Sequence, residues 1–261
     1  MAPEFDSADS TASAAPLVRT RGDRRTLEFV PGDIQSEMLL SRPDALVLDY
    51  SRAMMCFALF VPQPRHIVMV GLGGGSLVKF CYRHFPSARI TVLEINADVI
   101  ALREQFHVPP DDARLRIIHA DAAGFIAGAR ASCDVILVDG FDAAGMPPAL
   151  GSAGFYTACR RALREGGVLV ANLLSYDPQY AALRARIDAA FDARVCQLAG
   201  IAGNNHILFA LHAPRQPAPG SALAGLVRRH ARLARWHGLR PAPLNRLLAH
   251  AVVAWLARRP V

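Results

Sequence analysis

The sequence predicts an α/β protein: a largely parallel sheet ending in an antiparallel hairpin, with a small β-region in front of it. Three observations lead there. Apolar runs such as HIVMVG at 66–71 and DVILV at 134–138 have no polar face, as in strands buried on both sides. Stretches with helical spacing alternate with them. Near the end, two strand-like runs at 193–201 and 206–212 are separated only by Ala202-Gly203-Asn204-Asn205. A link that short cannot cross over a sheet, so the pair runs antiparallel. Five β-α units closed by such a hairpin fit the Rossmann-like sheet of class I methyltransferases better than an all-parallel dinucleotide-binding sheet.

The elements follow in order. Residues 1–22 are small and polar and read as a disordered leader without the apolar core of a secretory signal. Residues 23–64 read as a small N-terminal β-region with a connecting helix. Its strands, RRTLEF at 24–29 and IQSEMLL at 34–40, flank the turn Pro31-Gly32-Asp33, and 50–60 has helical apolar spacing. Residues 65–214 carry the main sheet, with strands at 66–71, 89–95, 114–119, 134–138 and 168–174 and then the hairpin. Helices are expected at 76–84, 97–105, 155–164 and 178–191, the third closed by the C-cap signal Glu165-Gly166-Gly167. Residues 215–261 form a separate tail, read as two basic amphipathic helices at 223–236 and 244–256. Docking on the core or on a partner is the plainer expectation for them, with contact to an anionic membrane surface or to nucleic acid the other.

Composition narrows the function. The chain has 261 residues, 52% of them hydrophobic, and no apolar run of the length that spans a bilayer. The net charge of +7 belongs to the tail, where nine Arg and no acid lie between Arg215 and Val261. The rest carries 20 basic and 22 acidic residues, so the core is not read as a nucleic-acid binder. Cys56, Cys81, Cys133, Cys159 and Cys196 form no CxxC pair, so no metal site is expected. They read as small buried apolar residues in a reducing cytoplasm.

Chemistry concentrates at strand ends. Gly71-Leu-Gly-Gly-Gly-Ser76 follows a buried strand and opens a helix, the setting for a nucleotide-type ligand. Gly71, Gly73 and Gly75 let the backbone approach the ligand, and the helix N-terminus offers free N–H groups. Ser76 breaks the dinucleotide fingerprint. Glu94 ends the next strand, where a carboxylate can accept both ribose hydroxyls. Asp121 ends the third and can accept from an adenine amine, cap the following helix, or both. Asp139 and Asp142, in VDGFD at 138–142, end the fourth. A pair of acids there suits a cationic amine: one takes a proton and the other holds a distal ammonium. Loop capping is the structural alternative for them.

Together these residues resemble the spermidine synthase (polyamine aminopropyltransferase) family. The resemblance runs over residues 24–212 and is carried by IQSEM at 34–38, YSRAMM at 50–55, the Gly turn with Glu94, VDGFD at 138–142, and Phe155-Tyr156. It implies transfer of an aminopropyl group from decarboxylated S-adenosylmethionine to putrescine or a similar amine, without a metal, by a homodimer or larger assembly. It also implies roles. Gln35 contacts the cofactor, Tyr50 lines the space where the two substrates meet, and Glu94 and Asp121 hold ribose and adenine. Asp139 takes the amine proton and Asp142 binds the amine. The chain departs from the family at two places. The family's turn usually reads Gly-Gly-Gly-Asp-Gly-Gly, with its Asp facing the amino group of the transferred chain. Here Gly74 stands at the Asp position and Leu72 at the second. Ser51 stands where Gln or His is common.

Two other functions stay open on the sequence alone. A methyltransferase on a cationic amine would use ordinary S-adenosylmethionine, whose carboxylate an Asp at position 74 would repel and Gly74 does not. A non-catalytic adenosyl-ligand-binding protein would use the tail as its interaction element.

Overall fold

The computed structural model describes residues 15–141, 145–202, 204–213, 225, 228 and 242–259. Three N-terminal strands, β1 (Leu17–Arg21), β2 (Arg24–Glu28) and β3 (Ile34–Leu39), form an antiparallel meander. β1 lies inside the stretch read as a disordered leader and corrects it from residue 17 onward. Its pairing to β2 depends on a two-residue turn at Gly22-Asp23, where Gly22 has φ 55°. The alternation along LVRTR is too polar to register as a strand by hydropathy.

Residues 50–60 divide into the helix α1 (Asp49–Met54) and a 3-10 turn, Met55–Leu59. The run Met54-Met-Cys-Phe-Ala58 is buried throughout and leads the chain under the main sheet.

That sheet contains β4 (His66–Val70), β5 (Arg89–Glu94), β6 (Leu115–His119), β7 (Cys133–Val138), β8 (Leu163–Leu174), β9 (Val195–Ala202) and β10 (Asn205–Leu211). Their order is β6-β5-β4-β7-β8-β10-β9, parallel except for β10, which runs antiparallel to both neighbours. The helices between them are α2 (Ser76–His84), α3 (Ala97–Ala101), α4 (Ala122–Gly128), α5 (Ala153–Ala162) and α6 (Tyr180–Ala190). The expected reverse-running hairpin is present.

Strand periodicity divides the core in two. Ile67, Met69, Val135 and Leu137 face Phe57, Phe80 and their neighbours. Val68, Val70, Ile136 and Val138 face Phe155, Tyr156 and Leu183 on the other side.

Three expected boundaries shift. α3 ends at Ala101 rather than near 105. The signal at Glu165-Gly166-Gly167 does not cap a helix: α5 stops at Ala162, Leu163 is already extended, and the glycines lie within β8. A Cβ on Gly167 would sit 2.8 Å from Arg164 O and 2.9 Å from Asp134 O, so close strand packing selects glycine there. Of the two tail helices, 223–236 lies outside the described residues apart from two positions. The second is α7 (Ala242–Ala257). Its Asn245, Ala249, Val252 and Leu256 are buried, and it packs on α1, the 3-10 turn and β9. Arg259 closes its end by donating to Pro62 O at 2.7 Å.

Two buried polar groups stand out. Lys79, the chain's single lysine, is buried in α2. Its Nζ donates to Phe106 O at 2.6 Å and to Met38 Sδ at 3.0 Å, which ties β3 and the segment after α3 beneath the Gly turn. Burial lowers its pKa to about 8. Above it, Gly74 has no room for a side chain: a Cβ would lie 2.6 Å from Ser36 Oγ and 2.9 Å from the buried Phe106 ring. The second group is Tyr156, whose hydroxyl is buried and has no hydrogen-bond partner among the described residues.

Gly74→Ala is therefore expected to cost about 1–3 kcal/mol of unfolding free energy in a denaturant melt. A loss below about 0.5 kcal/mol would mean that the Phe106 ring yields. Tyr156→Phe removes a polar group that makes no bond, so stability should hold or rise by up to about 1 kcal/mol. A clear drop in the same melt would reveal a partner for that hydroxyl.

Candidate functional site

The sheet reverses its winding between β4 and β7: the chain builds β5 and β6 on one side of β4, then β7 and β8 on the other. The crevice at the carboxyl ends of those two strands is where open α/β sheets bind ligands. Gly71 follows β4 and Asp139 follows β7, so both stand at this crevice. Their backbones touch. A Cβ on Gly71, at φ 93°, would lie 2.4 Å from Asp139 O, so only glycine lets the two strand ends come together. Gly73 and Gly75 also have positive φ, 50° and 66°, and Gly75 is the residue that starts α2. The open N–H groups of that first helical turn face the same edge.

Glu94 is 8% exposed at the end of β5. Its Oε2 accepts from Leu72 N at 2.7 Å and its Oε1 from Asn96 N at 2.9 Å. Each oxygen keeps a lone pair for a further donor, which suits a diol. Beside it Ile95 is 70% exposed, and His119 bonds to its carbonyl oxygen at 2.9 Å. An exposed aliphatic face next to an acid fits a flat, apolar ring. Asp121 caps α4, accepting from Ala123 N and Gly124 N, both at 3.0 Å. The capping role is thus filled, and the side chain remains exposed at the end of β6.

Asp139 is half-buried. Its Oδ1 accepts from Asn172 Nδ2 at 2.9 Å, and the Tyr50 hydroxyl also bonds to its carboxylate. Burial raises its pKa above the usual aspartate range, and the two donors partly oppose that rise. The Tyr50 hydroxyl is held well above the usual phenol range, first by burial and then by the neighbouring carboxylate. It stays a neutral donor, and it also lies 3.5 Å from the Gln35 carbonyl oxygen. The Gln35 side chain itself bonds to Asp33 at 3.0 Å. Asn205 Nδ2 donates to Asn172 Oδ1 at 2.9 Å and completes a chain of polar groups from β10 to β3. Asp142 lies outside the described residues.

Gln35, Tyr50, Glu94, Asp139 and the three glycines therefore gather around one crevice, with Asp121 at its β6 side. Sequence reasoning missed Asn172, Asn205 and Ile95. Asn172 did leave a trace: it is the polar interruption in VLVANLL, otherwise an apolar strand. Ile95 left a weaker one, an apolar residue directly after a strand-ending acid. Among the described residues, no three His, Cys, Asp or Glu side chains are grouped to hold a metal ion.

The comparisons agree with this geometry. The profile of the spermine/spermidine synthase domain matches residues 48–179. A polyamine aminopropyltransferase of Chromobacterium violaceum is 40% identical over 182 residues, 69% of this chain and 70% of the relative. Among solved structures, a probable spermidine synthase from Corynebacterium glutamicum superposes with a TM-score of 0.66 at 22% identity, covering 88% of this chain and 87% of that one. A spermidine synthase in complex with the transition-state analogue AdoDATO superposes with a TM-score of 0.60 at 20% identity, covering 92% and 88%. The profile match over residues 48–179 and the 40% identity to a relative covered over 70% of its length lead to one conclusion: this chain belongs to the spermine/spermidine synthase family.

Proposed function

We propose that the protein transfers an aminopropyl group from decarboxylated S-adenosylmethionine to an amine such as putrescine. The observation that carries this is the Asp139 carboxylate, made more basic by burial and aimed by Tyr50 and Asn172, at the crevice that also holds Glu94 and the Gly turn. The relative from Chromobacterium violaceum carries the name of this activity.

The reaction balances without an oxidant. The lone pair of the amine attacks the carbon next to the sulfonium. The carbon–sulfur bond breaks with its electrons going to sulfur, which leaves the neutral thioether 5′-methylthioadenosine. The new ammonium gives a proton to Asp139. Glu94 accepts the ribose hydroxyls, Ile95 covers a face of the adenine and Asp121 lies at its amine edge. The first turn of α2 and the glycines line the donor's path. Alignment of nucleophile and sulfonium supplies much of the acceleration, and Asp139 adds proton transfer. Asp142 is assigned to the distal ammonium of the acceptor.

Gly74 gives the donor site a particular form. The position where the family usually has an acid is filled from the side by Ser36 and Phe106. The donor's amino group therefore donates its hydrogen bonds to groups other than a side chain at position 74.

Incubation with putrescine and decarboxylated S-adenosylmethionine should give a product heavier by one aminopropyl unit, read by mass spectrometry. A methyl increment with ordinary S-adenosylmethionine, and none with the decarboxylated donor, would overturn the proposal. Asp139→Asn should lower kcat by about 10²- to 10⁴-fold while binding of 5′-methylthioadenosine, followed by calorimetry, stays within a few-fold. Because the base must be ionised, kcat/KM should fall as pH drops through the raised pKa of Asp139. That acidic limb should lie above the ordinary aspartate range. A rate flat down to pH values well below that range would remove Asp139 from its role.

A further inference from the structure

Asn172 is the third residue from the end of β8, among apolar neighbours, and is 2% exposed. A buried amide is costly unless its donor and acceptor are used. Here both are. Nδ2 donates to Asp139 Oδ1 at 2.9 Å and Oδ1 accepts from Asn205 Nδ2 at 2.9 Å.

The order of these bonds matters. A primary amide can turn either edge toward a carboxyl group. Its NH₂ edge stabilises the ionised form, and its oxygen edge would repel it. Asn205 donates to the oxygen of Asn172 and so commits the NH₂ edge to Asp139. Asn205 opens β10, the strand that runs against β8, and is half-buried. Antiparallel placement of β10 beside β8 is what brings the two amides together.

We propose that Asn172, oriented by Asn205, is a positioning residue that pins one oxygen of Asp139 and sets the pH at which that carboxylate takes up a proton. The kinetic part of this inference rests on the transfer reaction proposed above; the proton-affinity part does not. Among the described residues, the groups bonded to the Asp139 carboxylate are the Tyr50 hydroxyl from α1 and the Asn172 amide from β8. Among the described residues acting on its charge, Tyr50 is the titratable one, and it remains protonated through the working range. A change at Asn172 therefore reads directly on Asp139. With Oδ1 held by Asn172, the carboxylate keeps acceptor capacity for Tyr50 and for the incoming amine.

The test uses the full chain with ¹³C-labelled aspartate carboxyls, titrated by NMR. Asp139→Asn identifies the Asp139 signal. In Asn172→Leu the Asp139 midpoint should move up by about one pH unit or more. Asn205→Leu, at a half-buried site that keeps Asn172 in place, should move it in the same direction by less, and guards against misfolding of the first variant. Midpoints equal to wild type in both variants would overturn the proposal. In kinetics with decarboxylated donor and putrescine, the acidic limb of kcat/KM should move by the same amount. The rate on the alkaline plateau should fall by less than the rate at lower pH, and Asn172→Gln should return the limb toward wild type. A uniform loss at every pH with an unmoved limb would reduce Asn172 to a structural role and also overturn the proposal. If wild type gives no product, the transfer reading fails, and the carboxyl titration still decides what Asn172 does.

Discussion

The site depends on one contact: the backbone of Gly71 lying against the carbonyl of Asp139. β4 and β7 are adjacent parallel strands, with Val70 opposite Val138. Their ends can be brought this close because the residue after β4 has no Cβ. Everything chemical follows from that proximity. The turn proposed to approach the adenosyl ligand and the acid proposed to handle the proton leave neighbouring strands at the same level. No long loop is needed to bring them together, and the precision of a sheet is transferred to the reacting groups.

Two layers then tune the acid. From below, β8 and β10 supply an amide pair anchored in rigid strands. From above, α1 and β3 supply Tyr50 and the Gln35 carbonyl. The N-terminal meander is therefore part of the site, and its attachment beneath the turn is itself tied down by Lys79 through Met38 and Phe106. The same packing explains the departure at position 74. Ser36 and Phe106 occupy the space that a side chain there would need. The glycine at this position faces Ser36 on β3 and Phe106 after α3, which leave no room there for the family's usual acid.

Much of this was legible in the sequence because it is carried by local pattern. Continuous apolar runs marked the buried strands, and the short Ala-Gly-Asn-Asn link marked the antiparallel pair. Strand-ending acids marked Glu94, Asp121 and Asp139. What was not legible depends on partners far away in the chain. β1 is short and mostly polar, and its strand pairing with β2 is set by the turn between them. The glycines at 166 and 167 carry the composition of a helix stop, but their role is set by Asp134 on the neighbouring strand. Asn172 and Asn205 are 33 residues apart and meet only through the reversed β10. The lack of room at Gly74 comes from Ser36 and Phe106, which no spacing rule connects to it.

The distribution of nucleophiles has a consequence for a protein that handles a sulfonium. Such a donor is an alkylating agent, and it reacts with any exposed thiolate or free amine it meets. All five cysteines are buried, and burial holds their thiols in the protonated form. The single lysine is buried as well, with its nitrogen engaged by Phe106 and Met38. Surface cations among the described residues are arginines, whose guanidinium groups stay charged and are poor nucleophiles. The amine brought in as acceptor therefore faces no competitor from the lysine or cysteine side chains.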